Sequence, residues 1–447
     1  MTRIAVALLL LPSIAFAQDA VSFRKDIAPL LVKSCQSCHG PKEAKSKYRV
    51  DSFAHLLKPG SSDEPAITPG KPDASELYRL LIIDDKDERM PKKADALPKE
   101  QIALVKKWIE QGAKYDAGDP ALPLSDILPR LEHPPAPQSY ARPIPITAMT
   151  FSPDGKALYV GGYHEVTVWN ATDGALISRI SGVAQRTYGL AISPDGTTLA
   201  VAGGSPGELG EVRLLTLPEG KLKQVLLTST DVVFDVKFSR DGKLLATGGA
   251  DNLIRVFDGQ TYETKLTIAN HSDWVCAVAF SADGTKLASA SRDKTAKAFD
   301  LTKKGEMIAG YLDHNEQVYG VAFHGDGDKV YSCGRDRRIM LWNLSDSKRT
   351  GEMGTGGHAF DLILDGGQIL ACSSDNNARL FDAKDRKQLK QFGGHKDFIY
   401  GIALHSQSKR AATGSHDGEV RIWNTEDGKE VTMFFAAPGY APVSAKE

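Results

Sequence analysis

The chain has 447 residues, 41% of them hydrophobic and 25% charged, with 55 basic against 56 acidic side chains. That length exceeds one ordinary core and implies two or more domains. The balanced, interspersed charge carries no basic stripe, which excludes a nucleic-acid-binding footprint. The 5 cysteines comprise one close pair and three scattered residues, so no disulfide scaffold is indicated.

Met1-Thr2-Arg3 precedes an apolar run from Ile4 to Phe16 that ends in the small-x-small site Ala15-Phe16-Ala17. This reads as a secretory leader over residues 1–17, since the run is too short to span a bilayer comfortably. No cysteine stands at the cleavage point to take a lipid, and no later stretch is apolar enough to cross a membrane. The expected product is exported, periplasmic or equivalent, and soluble, with no integral membrane segment.

Phe23, Ile27, Leu30 and Leu31 recur at helical spacing and predict an amphipathic helix leading into Cys35. Cys35-Gln36-Ser37-Cys38-His39 follows: two thiols three apart, then an imidazole. That is the attachment pattern of covalent c-type haem. Each sulfur can add to one porphyrin vinyl group, and the histidine can then rise to the iron as proximal ligand. A redox Cys-x-x-Cys needs no histidine there, and structural zinc would want a further ligand pair. Cys276, Cys333 and Cys372 lie far away and read as small buried side chains.

A second helix is predicted from Ala74 to about Ile83, with Leu77, Leu80 and Leu81 on one face. A third starts at Pro98, carries Ile102, Val105, Trp108 and Ile109, and stops before Gly112. Between them Met90 is the one methionine of residues 18–116, and Pro91 beside it predicts an extended loop that presents the thioether to the far face of the haem. Charged Asp87, Glu88 and Arg89 argue against a core-filling role. His55 is the rival sixth ligand, and its neighbours Leu56 and Leu57 suggest an ordinary helix end.

Cys38-His39-Gly40, Tyr48-Arg49-Val50-Asp51, Pro69-Gly70-Lys71-Pro72-Asp73, Arg89-Met90-Pro91 and Trp108-Ile109-Glu110-Gln111-Gly112 occur together and in order. In this respect residues 18–116 resemble the planctomycete-type cytochrome c domain. The resemblance implies a small all-α domain holding one covalent haem c on Cys35 and Cys38, with His39 proximal and Met90 distal. Lys92 departs from the second proline usual after Met-Pro, which loosens the case for a rigid loop.

Residues 117–142 are rich in proline (Pro120, Pro123, Pro129, Pro134, Pro135, Pro137) and predict a semi-rigid, extended connector. Repeats occupy 143–440, leaving a tail at 441–447. Turn signals centre on Asp154, Asp195, Asp241, Asp283, Asp326 and Asp365, successively 41, 46, 42, 43 and 39 residues apart, with a degenerate unit at His405-Ser406-Gln407-Ser408. Units end near Trp169-Asn170, Phe257-Asp258, Trp342-Asn343 and Trp423-Asn424. Period and endings resemble WD40 repeats, and seven units imply an all-β seven-bladed propeller. The longest interval suggests a loop insertion around Gly203 to Gly210.

His271, Ser289 and Asp293 have the chemistry of a nucleophilic triad. His314, Ser332 and Asp336 repeat the same offsets, as do His395, Thr413 and Asp417. A catalytic set would occur once, so these read as buried networks pinning each blade, and they are uneven because other blades lack the histidine.

The sequence thus predicts an exported c-type cytochrome passing single electrons, an electron carrier rather than a catalyst with its own substrate. Its propeller would dock a redox protein partner. Two other readings stand beside it. One is a haem oxidoreductase with a catalytic site in the propeller, for which His164 and His324 are the candidate ligands, more often surface residues. The other is a haem-based redox or gas-sensing scaffold, which needs a labile sixth site.

Overall fold

The computed structural model describes residues 20–40, 44–62, 64–92, 95–128 and 132–440. The expected leader and the tail 441–447 lie outside the described residues. Contacts divide the chain into two compact units, Met1–Leu131 and Glu132–Glu447.

The first unit is helical. A helical turn over Phe23–Ile27, capped by Ser22, whose Oγ accepts from Lys25 N, runs directly into α1 (Ala28–Ser34). Phe23, Ile27, Leu30 and Leu31 are all buried, as their spacing requires. Short helices α2 (Gln36–His39) and α3 (Phe53–Leu56) precede α4 (Glu76–Ile82) and α5 (Lys99–Glu110). Pro98 caps α5, and Gly112 takes a φ of +94° just past its end, a conformation that disfavours a side chain. On α4 the enclosed residues are Tyr78 and Leu81, whereas Leu77 and Leu80 are half-buried, a small rotation from the expected face. An aromatic nucleus ties the unit together. The Phe23 ring meets Phe53 edge-on at 4.9 Å, Phe53 stacks on Tyr115 at 4.5 Å, and Trp108 lies 5.4 Å from Phe23. Burying each such ring contributes roughly 2–3 kcal/mol.

The described residues of the proline-rich stretch are held by hydrogen bonds to the unit each lies in. Ala54 N donates to Pro120 O (2.9 Å), Leu124 N to Asp51 O (2.8 Å) and Arg24 Nε to Ile127 O (2.7 Å). Leu124 and Ile127, in the short helix α6 (Leu124–Ile127), join the first unit's core. From Glu132 onward the chain packs on the second unit instead. His133 Nε2 lies 2.5 Å from Glu211 Oε1, Arg179 donates to the carbonyls of Pro137 and Gln138, and Tyr140 donates to Glu165 Oε1 at 2.6 Å. The prolines keep the backbone extended, and an extended backbone laid on a folded surface can satisfy its carbonyls there.

The second unit is made of antiparallel strands in one seven-stranded sheet and five four-stranded sheets. In the large sheet the long strand Leu176–Ile192 pairs through its first half with Tyr163–Asn170 and through its second half with Thr198–Ser205. Second strands are the most enclosed: on Lys286–Ser291, Leu287, Ala288, Ser289 and Ala290 are inaccessible, because small side chains there meet neighbours on both faces. Fourth strands, such as Gln388–Phe392, are polar and largely exposed. The predicted insertion is not a loop. Thr198–Ser205 and Leu209–Thr216 continue as a longer hairpin, with Gly204 opposite Gly210, so the extra residues extend a ladder.

The last sheet packs on the first. Ile146, Met149, Phe151 and Trp169 share a core with Ala403, Ala412 and Ile422, and Phe434 of the last strand stacks on Trp169 at 4.4 Å. Ile146 N donates to Ser415 O (3.1 Å), and Arg410 donates to Ala171 O. The join is made by side-chain packing and these few bonds, since the last sheet is built from its own C-terminal strands.

The repeated histidine sets form the buried networks that their recurrence implied. His271 Nδ1 is 2.8 Å from Asp293 Oδ2 and its Nε2 is 2.7 Å from Ser289 Oγ. For His314 the distances are 2.6 Å to Asp336 and 2.7 Å to Ser332, whose Oγ also accepts from Trp342 Nε1. Chemistry assigns the protons: Nδ1–H donates to the carboxylate and Nε2 accepts from the hydroxyl. The third set differs from expectation. His395 Nε2 meets Thr413 Oγ1 at 2.7 Å, but its Nδ1 lies 3.1 Å from Glu419 Oε1, because Asp417 instead accepts from Ser415 Oγ. Burial pushes the Glu419 carboxyl up, yet His395 and Arg421 outweigh it and hold the pKa at about 2. A depressed folded-state pKa gives stability that is complete above the unfolded carboxylate value and is lost as pH falls toward 2. Melting temperatures of the wild type and Glu419→Gln, followed from pH 6 to pH 2.5, should therefore converge as the acid limit is approached. A constant gap would remove this linkage.

Candidate haem-binding site

The first turn of the site is set by α1. Cys35 N donates to Leu31 O (2.9 Å), and Cys38 N and His39 N both reach Cys35 O, at 3.2 and 3.0 Å. One tight turn thus carries both thiols and the imidazole. Gly40 closes it, and a Cβ at that position would lie 2.4 Å from Gln36 O, so only glycine allows the approach. The two cysteines are not joined to each other by a disulfide. Cys35 packs half-buried against the first unit's core, and burial, with Cys38 adjacent, pushes its thiol up to about 11.

His39 Nδ1 lies 3.2 Å from Tyr48 O, and its ring meets the Tyr48 ring edge-on at 5.7 Å. A carbonyl only accepts, so Nδ1 carries the proton and the Nε2 lone pair is left for a metal. Val50 N donates to His39 O (2.8 Å), and the Tyr48 hydroxyl donates to Leu56 O (3.0 Å), which fixes this second strip of backbone beside the motif. Sequence reading missed these positioning contacts, because a carbonyl partner leaves no trace in residue identity.

Met90 sits half-buried against the same core as Cys35. Its loop is a turn rather than the expected extended segment: Arg89 N donates to Asp85 O (2.8 Å), Met90 N to Leu80 O (2.9 Å), and the Met90–Pro91 peptide is cis. Beside it, Arg89 Nε is buried without a hydrogen-bond partner among the described residues. A buried guanidinium nitrogen of this kind suits a ligand that brings carboxylates, as a porphyrin does. The rival His55 is engaged locally, with Nδ1 2.9 Å from Ser52 Oγ and 3.4 Å from Asp51 Oδ1. Among the described residues no group of three or more His, Cys, Asp or Glu converges to hold a bare metal ion, so no closed zinc set forms around the motif.

The two propeller histidines named as candidate ligands each make a local contact through Nδ1. His164 is buried, not a surface residue as expected: its Nδ1 lies 3.2 Å from Val183 O, and burial lowers its pKa. His324 caps its own turn, with Nδ1 accepting from Asp326 N at 3.3 Å. Cys333 and Cys372 are buried as expected, whereas Cys276 is half-buried, its thiol pushed up to about 12 by burial.

A Cys-x-x-Cys-His turn on a small helical unit, followed in the chain by a unit of antiparallel four-stranded sheets, is the arrangement of a cytochrome c-like domain ahead of a β-propeller. Residues 35–94 match the family described as Planctomycete cytochrome C, and residues 220–258, 262–300, 305–343 and 386–424 match the WD domain, G-beta repeat. The chain therefore carries a planctomycete cytochrome c domain followed by WD40 repeats. Among curated proteins it is similar to THO complex subunit 6 of Arabidopsis thaliana, 29% identical over 17% of this chain and 21% of that protein. It is also similar to an uncharacterised WD repeat-containing protein of Synechocystis, 29% identical over 28% of this chain and 35% of the relative. Apoptotic protease-activating factor 1 of Rattus norvegicus is 29% identical over 54% of this chain and 15% of that protein. The matched region thus spans about a fifth of the first of these relatives.

Proposed function

We propose that this protein is an exported electron carrier with a single covalent haem c, whose WD40 unit docks a redox partner. The observation that carries the reading is the Nδ1 contact of His39 with Tyr48 O, which leaves Nε2 for iron one turn from both thiols. Cys35 and Cys38 would tether the porphyrin, and His39 and Met90 would hold its iron. When bound, the haem supplies one-electron chemistry at a potential that Met/His ligation raises relative to two imidazoles. The chain's own part is to orient the imidazole, exclude water with the Phe23–Trp108 core, and hold the sixth-ligand loop through Leu80 and Asp85. The leader-like start of the chain supports export. Counting Leu176–Ile192 once in each half of the large sheet supports seven blades.

Absorbance spectra of the native protein, oxidised and reduced, together with a haem-stained denaturing gel, test the reading. The expected result is one haem per chain that survives denaturation, a low-spin Met/His spectrum, and no carbon monoxide adduct of the reduced form. Colourless exported protein defeats the reading, and ready carbon monoxide binding turns it toward gas sensing.

A further inference from the structure

The segment Glu132–Tyr140 has no helix or strand of its own and is fastened to the large sheet at two places. At its far end the Tyr140 hydroxyl and the carbonyls of Pro137 and Gln138 meet Glu165 and Arg179, themselves an ion pair at 2.6 Å. At its near end His133 is set into the sheet, with only 5% of its side chain exposed. A carboxylate only accepts, so His133 Nε2–H donates to Glu211 Oε1 at 2.5 Å. The His133 ring lies 5.7 Å from that of His164, which is buried edge-on behind the Tyr163 ring at 4.6 Å. Neither imidazole belongs to the repeated histidine sets. Two of them share one enclosed carboxylate.

The other charges around the pair are soon accounted for. Arg213 Nε donates to the same Glu211 Oε1 at 2.8 Å, and its Nη1 to Gly182 O at 2.9 Å. Glu165, next along the strand from His164, is committed to Arg179 and Tyr140. Arg186, opposite Tyr163 in the ladder, is exposed, as is Glu132. Glu211 Oε2 is buried without a hydrogen-bond partner among the described residues. With both imidazoles neutral, Glu211 and Arg213 cancel and the cluster carries no net charge. One added proton can be met by the open Glu211 oxygen. A second leaves a buried imidazolium with no carboxylate to answer it, and an uncompensated buried charge is strongly destabilising.

We propose that His133, His164 and Glu211 form an acid-released clasp, which holds residues 132–136 on the sheet at neutral pH and lets them lift when the second imidazole is protonated. Fully extended, that stretch adds up to about 17 Å to the chain between the two units. The clasp belongs to the second unit and does not require haem. Its use, to lengthen the reach of an electron carrier in acid, rests on the function proposed above.

The direction follows from His164. Burial lowers its pKa; Val183 O opposes, the neighbouring His133 lowers it again, and Glu211 opposes. A folded-state histidine held below its ordinary value gives stability that is complete above about 6.5 and is lost as pH falls below it. Release therefore lies on the acid side.

A nitroxide on Glu132→Cys, an exposed position, reads the clasp in the full chain by electron paramagnetic resonance. The unsubstituted chain, labelled alongside, supplies the background from native thiols. The ratio of mobile to immobile signal should rise roughly fivefold or more from pH 8 to pH 5.5, with the β-sheet circular dichroism unchanged. Adding His164→Gln should cut that rise below about twofold, because an amide can still donate to Val183 O and the one remaining imidazole has Glu211 to itself. His133→Gln should do the same and serves if His164→Gln fails to fold. His416→Gln, at a histidine 54% exposed, should leave the rise intact. The proposal is overturned if the ratio ignores pH, if it rises toward pH 8, if it changes only together with loss of sheet signal, or if the folded His164→Gln or His133→Gln chain follows the wild-type curve. Colourless protein that still releases the label in acid would defeat only the cytochrome reading, and coloured protein with an immobile label throughout would defeat only the clasp.

Discussion

Chains in which Cys35 and Cys38 are both alanine should show no haem stain after denaturation, whereas either single variant should keep a weaker band. Each sulfur makes its own thioether, so one remaining thiol still tethers the porphyrin and none cannot. His39 is untouched in the double variant, and its Nδ1 contact with Tyr48 O survives, so axial ligation alone would have to retain any pigment. Denaturation removes that geometry, and acid-acetone should then extract all colour. The double variant should also melt earlier. Cys35 packs on the core, and a unit of this size buries too little apolar surface to be robust without its cofactor. A group that binds only the folded state stabilises it by mass action, and covalent attachment makes that stabilisation permanent. Undiminished staining of the double variant would show that neither sulfur is the point of attachment.

The second large effect is expected in the propeller and involves no haem. His314→Ala should destabilise the second unit by about 3 kcal/mol or more, read from the denaturant midpoint of its β-sheet circular dichroism signal. Removing the imidazole leaves the Asp336 carboxylate and the Ser332 hydroxyl without their partner. Both are enclosed, and Asp336 Oδ1 has no hydrogen-bond partner among the described residues even with histidine present. Asp336→Asn should cost less, because an amide oxygen can still accept from Nδ1–H. The Ser332 hydroxyl is wholly buried and shared with Trp342, so no substrate reaches it. Were the set a catalytic triad, its removal would leave stability intact.

Much of the candidate site was legible as sequence because covalent chemistry constrains spacing locally. Cys35, Cys38 and His39 stand within one turn whatever the fold does. Repetition was equally readable: it separated a per-blade network from a triad before any distance was known. Where local pattern failed, a longer-range contact prevailed. Asp417 matched the offset of its counterparts, yet Glu419, the first residue of the strand that follows the turn, reached His395 while Asp417 turned to Ser415. His164 looked like a surface residue and is buried.

Residue identity and spacing were therefore sufficient for the haem motif, the helix periodicities and the repeats, since each depends on neighbours within a few residues along the chain. Folding in three dimensions was needed to choose the backbone carbonyl that orients His39, to seat Arg89 Nε without a partner among the described residues, and to pack the final sheet on the first. Those outcomes depend on atoms distant in sequence, and an acceptor carbonyl or a shared core leaves no mark in the identity of any single residue.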